Sequence, residues 1–273
     1  MKGVWGLGHV AWRLVCSGAL LTAVACAPST GGGTLTFDAF AAGPEALEAA
    51  GEYEFVTQAG YRVTLTQATL RVGAVYLNQQ VPLAGGAARD CFLPGVYVAE
   101  VTDGATVDLL DPRLQPFGAP GRALLDPART AEVWLLGEGT EIDAEEDGAV
   151  IFEAAGTATR ATEPGAEEWP FTVSLSIGSN WRRTPTDPKK PGDNPICRER
   201  IVSPIPVDLS AAEGYALELR IDPALFFRRV DFSQLPESAR GYRFSDAPED
   251  QPSLNLYRDL HGTGAYQLRF TPQ

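Results

Sequence analysis

The densest group of side chains that could hold a metal ion is an acidic run in the middle of the chain. Its carboxylates stand on alternate residues before a glycine, at Asp143, Glu145, Asp147 and Gly148. This is the spacing of the first half of a calcium-binding loop, but the twelfth position, which supplies a bidentate Glu in such loops, is Ala154. The run therefore predicts either a solvated acidic hairpin, which we favour, or a weak calcium site.

Only one histidine, His261, lies beyond the first 25 residues, in a turn flanked by glycines. A Ser-His-acid site needs an imidazole to move the proton, and no G-x-S-x-G, H-E-x-x-H, P-loop or G-x-G-x-x-G pattern stands in a suitable context. Paired carboxylates need no motif, so a glycosidase-like site stays open among the 35 acids. We expect His261 to be an exposed turn residue or a weak metal ligand, and we expect neither enzyme activity nor a cofactor.

The cations are concentrated in the segment from Trp181 to Arg200, which also contains four prolines. Long loops of this kind are often functional. The segment predicts contact with an envelope protein or an anionic glycan through Trp181, Arg182, Arg183, Lys189 and Lys190. The alternative is an ordinary solvated linker.

The first 25 residues have the features of an export signal. Lys2 and Arg13 precede an uncharged apolar run from Leu14 to Ala25, which ends on small residues directly before Cys26. The pattern resembles the lipobox of bacterial lipoproteins. The resemblance implies cleavage before Cys26 and attachment of acyl chains, such as palmitate, to its thiol and its new amino group. An uncleaved anchor is excluded because twelve residues at about 1.5 Å each cannot cross a hydrocarbon layer of roughly 30 Å; simple secretion stays open.

The remaining thiols form one pair once the signal is removed. Cys16 is lost with the signal and Cys26 is acylated, which leaves Cys91 and Cys197 in an oxidising compartment. Neither has a histidine or a second cysteine at metal-ligand spacing. We therefore predict a disulfide between Cys91 and Cys197, which would add about 4–5 kcal/mol in the chain-entropy model.

The charge balance excludes one class of partner. The chain has 22 Lys and Arg against 35 Asp and Glu, a formal net charge of −13, and the signal removes only cations. A field of this sign repels phosphate, so we expect no binding to nucleic acid and membrane attachment only through the N-terminal lipid.

From Thr34 onward the chain alternates between apolar and polar residues, as strands with one buried face do. A slip of this alternation near Gln67–Ala68 predicts a bulge in a long strand that ends at Leu77. Short helices are predicted at Pro44–Ala50 and around Ala224–Arg228. The other predicted strands are Thr34–Phe40, Gly95–Val101, Thr106–Leu110, Arg129–Gly137, Ala149–Thr159, Trp169–Gly178, Arg200–Leu209, Gly214–Ile221, Ser253–Tyr257 and Gly264–Thr271. We predict an all-β fold, an antiparallel β-sandwich with long loops and one or two short helices.

The arrangement of these segments also resembles the MbnP-like periplasmic proteins, a β-sandwich group associated with copper handling. The resemblance is carried by Gly60–Leu77, Leu217–Asp222, Leu225–Phe232 and a closing hairpin at Leu254–Phe270. It implies a β-sandwich over most of the mature chain. Copper sites of this kind use imidazole ligands, of which His261 is the one that the mature chain offers.

These observations predict a signal peptide at residues 1–25, a flexible tether at 26–33 and one domain at 34–273. We expect a lipid-anchored, non-catalytic binding or accessory module. Ala27 after the lipidated cysteine favours, by resemblance, the outer membrane, facing the periplasm or the cell surface. A periplasmic copper- or calcium-binding protein is the alternative, and a carbohydrate-active enzyme is the third.

Overall fold

The computed structural model describes residues 33–47, 51–81, 95–135, 150–162, 165–177, 200–239, 241–244 and 250–273. These residues form an all-β, sandwich-like fold of two sheets, which confirms the predicted class. The larger sheet contains β1 (Thr34–Phe37), β3 (Tyr53–Val56), β4 (Arg62–Asn78), β5 (Tyr97–Val101), β6 (Ala105–Asp108), β8 (Gly121–Leu124), β9 (Ala128–Leu135), β10 (Val150–Thr162), β11 (Gly165–Ser176), β12 (Ile201–Leu209), β14 (Glu237–Ser238) and β15 (Gly241–Arg243). The smaller sheet contains β2 (Ala39–Ala42), β7 (Gln115–Pro116), β13 (Tyr215–Ile221) and β16 (Tyr266–Pro272).

Strand β4 is the centre of the larger sheet. Its first half pairs with β3 and β10, and its second half pairs with β5 and β9. The predicted bulge is confirmed within one residue, because Gln67 and Leu65 oppose the consecutive residues Ala155 and Gly156 and leave Thr66 as the extra residue. Beyond this bulge the side chains of β4 change face, which sets the side on which its last residues project.

Two details of the predicted sandwich are corrected. The strand predicted at Thr34–Phe40 is divided into β1 and β2, which belong to different sheets. The pairing is also not wholly antiparallel, because β2 pairs with β13, and β11 with β15, in parallel. Alternation within a strand does not encode the direction of its neighbour, so the sequence pattern could not distinguish these cases.

The strand predicted at Ser253–Tyr257 is wrong, and so is the closing hairpin at Leu254–Phe270. Residues Gln251–Leu260 form the helix α1, which begins after Asp250, whose side chain caps it by accepting from the backbone N–H of Ser253 at 3.4 Å. Leu256, Tyr257 and Leu260 are buried at helical spacing. Leu254 and Leu256 imitate a strand because they stand two residues apart, but the N-cap and the proline in the first turn favour the helix.

Short 3₁₀ helices at Pro223–Leu225, Phe232–Gln234 and Thr263–Ala265 complete the elements. The first lies where a helix was predicted around Ala224–Arg228. The described part of the other predicted helix, Pro44–Leu47, is a turn closed by a bond from Leu47 N–H to the Pro44 carbonyl.

The core between the sheets is rich in aromatic rings. Six phenylalanines that are at most 3 % exposed contact one another there: Phe152, Phe171, Phe226, Phe227, Phe232 and Phe244. No helix among the described residues is long and apolar enough to span a bilayer.

Candidate functional site

Five side chains lie side by side on one face of the larger sheet, one from each of five neighbouring strands. The register pairs Thr36 of β1 with Arg122 of β8, and Arg122 with Glu100 of β5. Glu100 is opposite Tyr76 of β4, which is opposite Glu132 of β9. Directly opposite residues of antiparallel strands share a face, so these five form a continuous polar row. At about 4.8 Å per strand the row spans roughly 19 Å.

The outer end of the polar row consists of Thr36, Arg122 and Glu100, all exposed to solvent. It borders a cleft of about 500 Å³, a volume typical of small-molecule sites, whose other lining residues include Thr34, Tyr97 and Leu124. Among the described residues, neither the Arg122 side chain nor the Glu100 side chain has a hydrogen-bond or ion-pair partner. The guanidinium donors and the carboxylate acceptors are thus both open to a bound molecule.

The inner end of the polar row is Tyr76 with Glu132, and it is progressively buried. Tyr76 is half-buried and Glu132 has no exposed surface. The Asn78 amide donates to Glu132 Oε1 at 2.9 Å, and the Trp134 indole N–H donates to Oε2 at 3.1 Å. Both carboxylate oxygens therefore accept hydrogen bonds, as a buried carboxylate requires. Asn78 Oδ1 is also buried, and it accepts no hydrogen bond from the described part of the chain.

Tyr76 connects the two ends through ring contacts. Its ring lies 5.2 Å from that of Trp134 and 5.2 Å from that of Tyr97, in edge-to-face geometry at 62° and 65°. Burial raises the pKa of the Tyr76 hydroxyl, and the negative charges of Glu100 and Glu132 raise it further. The phenol therefore stays protonated at physiological pH and can donate a hydrogen bond. Through these contacts the buried Glu132 and Trp134 support the Tyr97 wall of the cleft.

A second, smaller cleft of about 220 Å³ lies at the smaller sheet, and three of its charged residues, Glu45, Arg220 and Arg269, are engaged in ion pairs. Glu218 of β13 accepts from its cross-strand partner Arg269 of β16 at 2.9 and 3.1 Å, and also from Arg220. Arg220 further donates to the Gly43 carbonyl at 3.1 Å, and Arg269 to Glu45. These charges hold strands and turns together, so this cleft is the poorer candidate for a binding site.

One carboxyl of the second cleft, that of Asp222, has no cationic partner among the described residues. Asp222 accepts from the Ala224 backbone N–H at 3.0 Å and from the Tyr53 hydroxyl at 3.1 Å, both through Oδ1. Burial raises its pKa, and these two bonds oppose that effect only in part. Burial likewise raises the pKa of Tyr53, with the Asp222 charge as a second cause. The pair is the polar cap of a 3₁₀ helix, a structural role.

Most of the residues singled out from the sequence lie outside the described residues. These are the lipidation residue Cys26, the pair Cys91 and Cys197, the acids Asp143, Glu145 and Asp147, and the contact residues Trp181, Arg182, Arg183, Lys189 and Lys190. They stay predictions. In the part of the chain that is described, no group of three or more His, Cys, Asp or Glu is placed to hold a metal ion.

Among the site residues predicted from the sequence, His261 is the one that lies within the described residues. It is half-buried and follows α1 as its C-cap, with Nδ1 at 2.8 Å from the Tyr257 carbonyl oxygen. Because a carbonyl only accepts, Nδ1 carries the proton in this contact. The ring also packs on that of Tyr257, with centroids 4.5 Å apart. These contacts give His261 a helix-capping role and correct the expectation of an exposed turn residue. Its role as a metal ligand stays a prediction.

The polar row was missed from the sequence. Its clearest signal is Glu132, an acid inside the apolar part of β9. All six residues from Thr130 to Leu135, Glu132 included, are buried. An acid in a central strand needs buried donors, and the nearby Trp134 offers one. Arg122 had no signal, because β8 lies in a segment rich in glycine and proline that was not predicted as a strand.

Comparison of the chain with family models, curated proteins and solved structures finds no match.

Proposed function

We propose that this protein is a non-catalytic binding module whose ligand contacts the outer end of the polar row. The observation that carries this proposal is the adjacent pair Arg122 and Glu100. Their side chains line a cleft of about 500 Å³ and have no hydrogen-bond or ion-pair partner among the described residues. Charged residues that hold a fold together are saturated with partners, whereas residues that bind a ligand keep their hydrogen-bonding groups available to it.

Binding is favoured over hydrolysis by the different states of the two acids in the row. A glycosidase uses two carboxyl groups that both reach the substrate. Glu100 is exposed, but Glu132 is fully buried and engaged by two donors. Glu132 is suited to support the site, and Glu100 to contact the ligand.

The test is chemical-shift mapping with a library of small polar probes that contains sugars, amino acids, carboxylates and amines. We expect one class of probe to shift the backbone amides of Tyr97, Glu100 and Arg122 in the ¹⁵N-labelled full chain. The double variant Arg122→Ala, Glu100→Ala should lose this response.

The matched control is Arg62→Ala, Glu54→Ala, which removes an exposed Arg–Glu ion pair that joins β3 to β4. It changes the same two residue types and should leave the response intact. If no probe shifts the cleft amides, or if the two double variants respond alike, the cleft is not a binding site and the proposal fails.

We further propose that Cys26 tethers this module to the envelope, most simply as an outer-membrane lipoprotein. One acyl chain gives only marginal membrane binding, so stable attachment depends on the full set at this residue. The variant Cys26→Ala should move the protein from the membrane to the soluble fraction, and unchanged membrane retention would contradict the tether. A disulfide between Cys91 and Cys197 and a contact through the basic segment Trp181–Arg200 are part of the same proposal; non-reducing peptide mapping tests the former.

A further inference from the structure

We infer that the ligand of the cleft is a neutral saccharide, with a sugar ring against Tyr97 and its hydroxyls on Arg122, Glu100 and the neighbouring threonines. This inference rests on the binding site proposed above and adds the chemical class of the ligand.

The first step is the hydrogen-bonding character of the outer end. Arg122 only donates and Glu100 only accepts, while the hydroxyls of Thr34 and Thr36 do both. A sugar hydroxyl also donates and accepts, so neighbouring hydroxyls of one ring can satisfy a guanidinium and a carboxylate together. A simple anion would be attracted by Arg122 but repelled by Glu100, and a simple cation would meet the reverse.

The second step is the extent of the row. From one strand to the next, the row presents a hydroxyl, a guanidinium, a carboxylate and a phenol, which belong to Thr36, Arg122, Glu100 and Tyr76. Three strand spacings of about 4.8 Å make this array roughly 14 Å long. A free amino acid could satisfy the central charged pair but would not reach both flanking hydroxyls. A chain of two or three sugar rings would.

The third step is the aromatic wall. Tyr97 is half-buried and lines the cleft, and its ring is held by Tyr76, which is held in turn by Trp134. An aromatic face carries negative charge density and attracts the weakly positive C–H groups on the apolar face of a sugar ring. Because the buried Glu132 fixes Trp134, the wall is ordered before the ligand arrives, which lowers the entropy cost of binding.

The fourth step is the charge of the ligand. The formal net charge of the chain is −13, so the field of the whole molecule opposes the approach of an anion. At the cleft itself the charges of Arg122 and Glu100 offset one another. A neutral ligand is not repelled by the net charge of the chain and needs no net charge in the cleft.

The inference is tested by calorimetric and NMR titration of the full chain with four neutral trisaccharides: maltotriose, cellotriose, triacetylchitotriose and mannotriose. Trigalacturonate serves as the anionic probe, and free L-amino acids as the zwitterionic one. We expect at least one neutral trisaccharide to bind at the cleft more tightly than either comparison class. Arg122→Ala should weaken this binding about tenfold or more, since hydrogen bonds to charged groups are among the stronger ones.

Two variants distinguish the specific effect of removing Tyr97 from the effect of removing any exposed tyrosine. Tyr97→Ala should weaken trisaccharide binding roughly two- to tenfold. Tyr215→Ala removes a tyrosine that is 38 % exposed on β13, in the other sheet, and should leave binding unchanged. Melting curves of both variants confirm that any loss of binding is not a loss of folding.

The outcomes distinguish the two proposals. If trigalacturonate or an amino acid binds at the Arg122 amide and no neutral trisaccharide does, the saccharide inference is overturned and the binding site stands. Equal binding of a trisaccharide by wild type and Arg122→Ala also overturns it. If no probe of any class affects the cleft, the binding site itself is refuted.

Discussion

Two cross-strand pairs of arginine and glutamate stand in the same register relation, yet only one of them forms a bond. Arg269 lies opposite Glu218 and donates to it at 2.9 and 3.1 Å. Arg122 lies opposite Glu100, and neither side chain has a partner among the described residues. Register alone therefore does not decide whether opposite charges pair.

Burial explains the difference. The Glu218 side chain is 4 % exposed, so it has lost its water and needs protein donors to replace it. Glu100 and Arg122 are exposed and are solvated at little cost, so fixing two long side chains against each other gains almost nothing. The first pair serves the fold, and the second is available to a ligand.

The largest effect should come from the buried carboxylate of Glu218. Glu218→Ala leaves Arg220, whose side chain is 14 % exposed, without its carboxylate, and we expect the free energy of unfolding to fall by about 3 kcal/mol. Urea denaturation measures this loss, and Glu218→Gln should recover part of it. A loss below about 1 kcal/mol would show that the Glu218 network contributes no more than a surface pair.

The buried Glu132, at the inner end of the polar row, should contribute to stability as Glu218 does, unlike the exposed Arg122 and Glu100. Glu132→Ala leaves the buried donors of Asn78 and Trp134 without acceptors, at a cost of about 2–3 kcal/mol in stability. The same change should also broaden the NMR signals of the Tyr97 ring, because Trp134 no longer has a fixed partner. Sharp, unchanged Tyr97 signals would show that Glu132 does not support the position of the Tyr97 ring.

The exposed pair should hardly affect stability. Arg122→Ala and Glu100→Ala are each expected to change the free energy of unfolding by less than about 0.5 kcal/mol. A double-mutant cycle on unfolding should give a coupling energy close to zero. A coupling above about 1 kcal/mol would mean that the two charges are bonded in solution, which would remove the distinction from the Glu218 pair.

The smallest effect concerns Asp222, a partly buried carboxyl whose donors among the described residues, Tyr53 and the Ala224 backbone, are both uncharged. Burial raises its pKa in the folded state, so above that pKa the ionised carboxylate costs the fold free energy. Asn keeps an acceptor for Ala224 and Tyr53 without the charge. Asp222→Asn should therefore be more stable than wild type near neutral pH, and the advantage should shrink as the pH falls through the raised pKa and disappear below the unfolded-state pKa.

Asp111 provides a control of opposite sign. Hydrogen bonds from the side chain and backbone of Arg113 lower its pKa, so its ionised form stabilises the fold above the unfolded-state pKa. Asp111→Asn should be less stable than wild type at neutral pH, and this deficit should disappear as the pH falls through the lowered folded-state pKa. Thermal melts of both variants from pH 3 to pH 8 measure the two trends. Parallel trends for the two variants would contradict the assignment of their pKa directions.

Features that depend only on residues close together in the chain were predictable from the sequence. The alternation in β11 and β13 and the bulge in β4 follow from side-chain periodicity. The helix α1 shows the limit of this approach, because two leucines separated by one residue fit a strand as well as a helix. The capping residue Asp250 and the proline in the first turn are the features that favour the helix.

The sequence by itself determined the all-β class, the charge of the chain and the position of most strands, since each of these is a sum of local preferences. Only the tertiary structure decided that residues 36, 122, 100, 76 and 132 share one face. They come from strands far apart in the chain, and their alignment depends on which strands pair and in which register. Those choices are made by the packing of the whole core, so a single strand carries no information about them.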